Sequence, residues 1–140
     1  MAPTAPCGDD SRTVDGIESA MNPQPDALAQ ALQDAPVQVD RARGRSPVLL
    51  LCEHASAWVP PAFAHLGLAE ADRLRHIAWD PGALALARRL SERLDAPLVH
   101  ARYSRLLLDL NRAPDAPDSI VEASEGTAVP GNLGLDRAQR

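Results

Sequence analysis

Val48-Leu49-Leu50-Leu51-Cys52 runs directly into Glu53-His54-Ala55-Ser56, and this junction decides the reading of the fold. Five apolar residues in a row, flanked by polar ones, fit a central strand covered on both faces. The polar cluster then falls at the strand's carboxyl end, which in open α/β sheets faces the binding crevice. Two further clusters stand downstream. His76-Ile77-Ala78-Trp79-Asp80-Pro81-Gly82-Ala83 opens an amphipathic helix, and Tyr103-Ser104-Arg105-Leu106-Leu107-Leu108-Asp109-Leu110-Asn111-Arg112 is an apolar segment bounded by charge. Spacing of this kind carries ligands and charges from several chain segments to one cleft.

Outward from the junction the elements follow from periodicity. Val37-Gln38-Val39 alternates and predicts a short edge strand. Residues 41–46 are polar and read as a turn. Pro60-Pro61 bars a long helix directly after the first cluster, and residues 68–75 predict a short one. Asp80-Pro81 predicts a helix start, with Asp capping free amides and Pro losing no needed donor at the first helical position. Leu84, Ala87, Leu90 and Leu94 then recur at helical spacing. Leu98-Val99-His100 predicts a second strand and residues 105–110 a third. Residues 119–132 hold Gly and Pro with little period and read as a loop. This order predicts a layered α/β fold with helices on a largely parallel or mixed sheet. Residues 1–35 are rich in Ala, Pro, Asp and Gln; Leu28 and Leu32 give them one weak helical period, and the expectation is a disordered leader. The folded part is then 36–140.

The chain of 140 residues fits one domain with a modest core. Aromatics are 3% of it, so that core must be mainly aliphatic. Every basic side chain is Arg, which excludes a Schiff-base or P-loop lysine. The net charge of −5, with no basic stripe, argues against a nucleic-acid partner. No apolar run approaches the ~20 residues of a membrane span, and the N-terminus lacks the apolar core of a secretory signal. Cys7 and Cys52 make no disulfide framework, so a cytoplasmic location is expected.

Each cluster admits a chemical and a plain reading. His54 offers an imidazole nitrogen suited to Zn²⁺, and Glu53 a carboxylate suited to a ligand or a base; the plain reading is a surface Glu beside a strand-end His. Asp80 is a helix cap, a metal ligand, or both. His76 precedes the break at Pro81 and is a further ligand candidate, whereas His65 and His100 lack polar company and read as structural. Arg105, Asn111 and Arg112 could clamp an acidic small molecule through a planar guanidinium fork. The plain reading pairs an Arg with Asp109 or Asp115, with Asp109 an internal partner that holds an Arg in place.

Together the clusters resemble the N-formylglutamate amidohydrolase family. The resemblance runs from about Val37 through Arg140. It rests on Leu51-Cys52-Glu53-His54-Ala55-Ser56, on residues 76–83, on Tyr103-Ser104-Arg105 with Asp109-Leu110-Asn111-Arg112, and on Glu125-Gly126-Thr127-Ala128-Val129-Pro130-Gly131-Asn132. It implies a three-layer α/β/α sandwich of the zinc-carboxypeptidase and aspartoacylase type, here incomplete. It also implies metal-assisted hydrolysis of a C–N amide bond in an acyl amino acid such as N-formylglutamate, as in histidine degradation. On that reading His54 and Asp80 hold zinc or another divalent metal. Glu53 is the candidate catalytic carboxylate, and Glu53 and His76 stand in reserve as ligands. Arg105, Asn111 and Arg112 bind the acidic substrate. Ala57 departs from the family pattern, which has Asn there. Family members continue for about as many residues again, within the ~250-residue range of one domain. The later part carries a further His motif and, on the same resemblance, the general base. The 140-residue chain is therefore expected to bind zinc weakly, to be inactive alone, and to self-associate through an uncovered sheet flank. The alternatives are a non-catalytic remnant and a small acidic-ligand-binding module.

Overall fold

A computed structural model gives the fold over residues 35–136 and Gln139. The leader expected over residues 1–35 falls outside them but for Ala35. The main sheet holds β1 (Val37–Asp40), β2 (Leu50–Cys52) and β3 (Leu98–Ala101) in the order β1-β3-β2. β1 runs antiparallel to β3, with Val39 opposite Val99. β2 runs parallel to β3, with Leu51 beside Val99. The fold is α/β with a mixed sheet. β1 lies at an edge, as its alternation predicts.

Two helices lie between β2 and β3: the short α1 (Glu70–Arg73) and the longer α2 (Ala83–Leu94). α2 sets Ala83, Leu84 and Ala87 against Cys52, Ala55, Leu98 and Ala101, which covers one face of the sheet. The opposite face carries Val39, Val99 and Leu51 in a row across the three strands. Among the described residues nothing buries Val39 or Leu51, which are 49% and 59% exposed. The expectation of a central, doubly covered strand over residues 48–52 therefore fails here. β3 is central, and β2 is a three-residue flank with cover on one side. No helix among the described residues is long and apolar enough to cross a membrane.

Two other expectations are corrected. Residues 105–110 form turns rather than a third strand. The Leu107 and Leu108 amides both donate to the Ser104 carbonyl, and the Arg105 amide donates to Ala78, so the backbone bonds are those of a tight coil. Residues 119–132 are not all loop. They hold a small hairpin, β4 (Ala123–Ser124) with β5 (Thr127–Ala128), and a 3-10 turn at Pro130–Asn132.

That turn braces a second core of Val59, Leu66, Ile77, Ala78, Leu106 and Val129. Ala64, His65 and Leu66 are left-handed at φ 45°, 55° and 56°, a conformation that disfavours every residue with a Cβ. Leu66 is buried, and Gly131 packs on it so closely that an added Cβ would stand 2.8 Å from the Leu66 Cα. The Asn132 amide group locks the turn by donating to the Leu106 and Val121 carbonyls, each at 2.8 Å.

Candidate active site

Three segments are laced together by backbone bonds. The Asp80 amide donates to the His54 carbonyl at 2.9 Å. The Ala78 carbonyl accepts from the Arg105 amide and from the Ser104 hydroxyl. His54, just past β2, is thereby set beside Asp80, just before α2, and beside the coil that carries Arg105 and Asp109.

Helix α2 does not begin as the sequence suggests. Its cap is Gly82, left-handed at φ 86°, with no side-chain cap bond. Asp80 is therefore not the cap, and its carboxylate turns to His54 instead. The His54 Nδ1 lies 3.4 Å from Asp80 Oδ2, and its Nε2 lies 2.7 Å from Asp109 Oδ1. Arg105 spans the two acids, 2.9 Å from Asp109 Oδ2 and 3.8 Å from Asp80 Oδ1. The Asn111 amide adds a 2.9 Å bond to Asp109. The His54 and Asp109 side chains are 10% and 7% exposed, whereas Asp80 is 54% exposed and opens the cluster to solvent.

These contacts favour the ionised Asp109 carboxylate. Burial pushes the Asp109 carboxyl up, but the His54 ring, the Asn111 amide and the Arg105 guanidinium together hold it below the usual aspartate range. An ionised carboxylate only accepts, so a neutral His54 carries its hydrogen on Nε2. Its Nδ1 then presents a lone pair to the Asp80 carboxylate, and two acceptors face each other across 3.4 Å. That arrangement suits a cation. Bonds of about 2.0–2.2 Å to a tetrahedral Zn²⁺ separate neighbouring ligand atoms by about 3.3–3.5 Å, and a carboxylate on the far ring nitrogen is the usual brace for a metal-binding His. The two donors fit such an ion. Among the described residues, however, no group of three or more His, Cys, Asp or Glu is placed to hold one.

The remaining candidates lie apart. Arg112 pairs with Asp118 at 3.2 Å, both about half exposed. Asn111 is exposed and meets the cluster through its backbone. Glu53 adjoins His54 in sequence and is half-buried. His76 pairs with Glu125 of the β4–β5 turn at 2.8 Å, on the surface. His100 is buried and does have polar company, facing Asp40 at 3.4 Å. Burial, then the charges of Glu53 and Asp80, push the Cys52 thiol up and keep it protonated. The residue that sequence reasoning missed is Asp109 as the partner of His54. The four-residue step from Arg105 signals the Arg105–Asp109 pair, but nothing local signals the contact with His54.

Residues 46–139 match the family model of N-formylglutamate amidohydrolase. The chain belongs to that family. The crystal structure of gene product Atu2144 from Agrobacterium tumefaciens is similar at 43% identity with a TM-score of 0.75. The match covers 81% of this chain and 46% of that one, so the amidohydrolase-family chain described here spans less than half of that relative's length. None of the curated proteins matches it.

Proposed function

We propose that this chain carries the first metal ligands and an acid-binding arginine of a metal-dependent amidohydrolase that acts on an N-acyl amino acid such as N-formylglutamate. The observation that carries this reading is the His54 ring held between Asp80 and Asp109, with Arg105 spanning both. His54 Nδ1 and Asp80 would hold zinc or another divalent ion, which when bound polarises a carbonyl and lowers the pKa of a bound water. Asp109 keeps the His54 hydrogen on Nε2 and its lone pair toward the cleft. Arg105 fixes the two acids in place. Glu53 has no hydrogen-bond or ion-pair partner among the described residues and is the candidate proton acceptor.

Asn111 and Arg112 are the candidates for the substrate's carboxylate. The Arg112–Asp118 pair is exposed, and pairs of that kind are worth about 0–1 kcal/mol. Arg112 can therefore change partner at little cost, whereas Arg105, bonded to a buried Asp109, cannot. We also read the mixed sheet as part of a three-layer sandwich of the zinc-carboxypeptidase type, a reading supported by the bare apolar face and by the longer relative. A cytoplasmic location and a lack of nucleic-acid and membrane partners complete the proposal.

Two facing donors are fewer than the three protein ligands of a catalytic zinc. Calorimetry with Zn²⁺ should therefore give weak binding by the 140-residue chain, abolished in His54→Ala, and no hydrolysis of N-formylglutamate. Nanomolar binding, or binding that survives His54→Ala, would overturn the ligand assignment. The same shortage of donors favours a second reading, a non-catalytic module that keeps the acidic-ligand clamp. That module would bind glutamate tightly without added metal, which the amidohydrolase reading does not expect.

A further inference from the structure

Behind the wall that carries the His54 cluster lies a cavity of about 320 Å³, at the small end of the range for ligand pockets. Ala78 and Ser104 line it, so it shares backbone with the cluster, but His54, Asp80, Arg105 and Asp109 take no part in its lining. It is a separate site, and a ligand held there lies beyond the proposed hydrolase chemistry.

The body of the lining is apolar, with Trp58, Val59, Leu68 and Leu106. Trp58 is held by stacking on Tyr103, ring centroids 5.3 Å apart. Two opposite charges border this apolar wall: exposed Glu70 and half-buried Arg73, both from α1. They stand three residues apart, on neighbouring positions of one helical face. Neither pairs with the other, and neither side chain has a hydrogen-bond or ion-pair partner among the described residues. The Arg73 Nε is moreover shut away from solvent with no acceptor. The two terminal guanidinium nitrogens are not closed off in this way and have no acceptor among the described residues, so a ligand's carboxylate can meet them. The strained run Ala64-His65-Leu66 borders the same cavity through His65, and backbone strain of this kind gathers at ligand sites.

We propose that this cavity binds a zwitterionic α-amino acid with an apolar side chain. The carboxylate meets Arg73, the ammonium meets Glu70, and the side chain lies against Trp58, Val59 and Leu68. A simple carboxylic acid fits less well, because it leaves the Glu70 carboxylate beside a second anion. A simple amine leaves Arg73 unanswered.

The test is titration of the whole chain with L-phenylalanine, followed by calorimetry and tryptophan fluorescence, beside 3-phenylpropionate, which lacks the amine, and phenethylamine, which lacks the acid. L-Phenylalanine should bind saturably at one site, and each analogue about severalfold more weakly, because each forgoes one of the two charge pairs at this partly exposed site. Arg73→Gln should weaken L-phenylalanine by about tenfold or more, and Glu70→Gln should erase the preference over 3-phenylpropionate. If Arg73→Gln does not fold, Arg73→Lys keeps the charge without the fork and should still lose severalfold affinity. Absence of saturable L-phenylalanine binding, indifference to Arg73, or equal binding of the deaminated acid would each overturn the proposal.

Discussion

Asp109 is the residue on which the cluster turns. Its side chain is nearly buried and receives His54, Arg105 and the Asn111 amide at once. Those three outweigh the upward push of burial, so the carboxyl titrates below its ordinary value. The sign of the pH effect follows. A lowered folded-state value stabilises the fold in full above the unfolded value of about 3.9 and loses that contribution as pH falls through the lowered one. Asp109→Asn keeps the shape and removes the charge, and should cost on the order of 2 kcal/mol at neutral pH. Urea melts of both proteins should converge as pH drops below about 4. A gap that is constant with pH would show that Asp109 acts through packing alone. His54 and Asp80 were legible in the sequence because each stands where an apolar stretch meets a polar one. Asp109 as a partner of His54 was not, because the contact spans 55 residues of chain, and sequence periodicity reports on near neighbours only.

At the scale of elements, the misread ones share a cause. The leucines of residues 105–110 suggested a strand, yet a strand would place Arg105 and Asp109 about 13 Å apart, beyond any ion pair. The coil brings the two backbones close enough for their side chains to pair at 2.9 Å. Here tertiary bonds from Ser104 to Ala78, and from the Asp109 amide to the Ser119 carbonyl, override local preference. Asp80-Pro81 misled in a similar way. The pair is a sound helix start in isolation, but Gly82 takes the cap position and frees the Asp80 carboxylate for His54. Gly82 holds φ 86° in open space, with no atom within 4 Å of the point where a Cβ would stand. Gly82→Ala therefore meets conformational strain and no clash. It should destabilise the fold by about 1–2 kcal/mol, read from chemical melts, and should weaken any metal that rests on Asp80. An unchanged melt would mean that the helix start relaxes without cost.

For the whole molecule, the strand composition and the cover it receives disagree. Residues 48–52 are apolar on both sides of the pleat, the pattern of a strand buried on two faces. Within the described residues α2 covers one face, and the row Val39, Val99 and Leu51 lies on the other. Val48 and Leu49, just before β2, are also exposed, at 47% and 57%. The sequence thus records a cover that the described residues do not supply, and the Agrobacterium relative, more than twice as long as its matched part, has chain to spare for one. A flat apolar face beside an open strand edge promotes association. The 140-residue chain should therefore self-associate, with a weight-average mass that rises with concentration in sedimentation velocity runs. Leu51→Lys places a charge on the exposed side of β2, where surface substitutions cost within about 0.5 kcal/mol, and should return the protein to a monomer without lowering its melting point. A wild-type chain that stays monomeric at every concentration would mean that the bare face is covered by something other than a second copy.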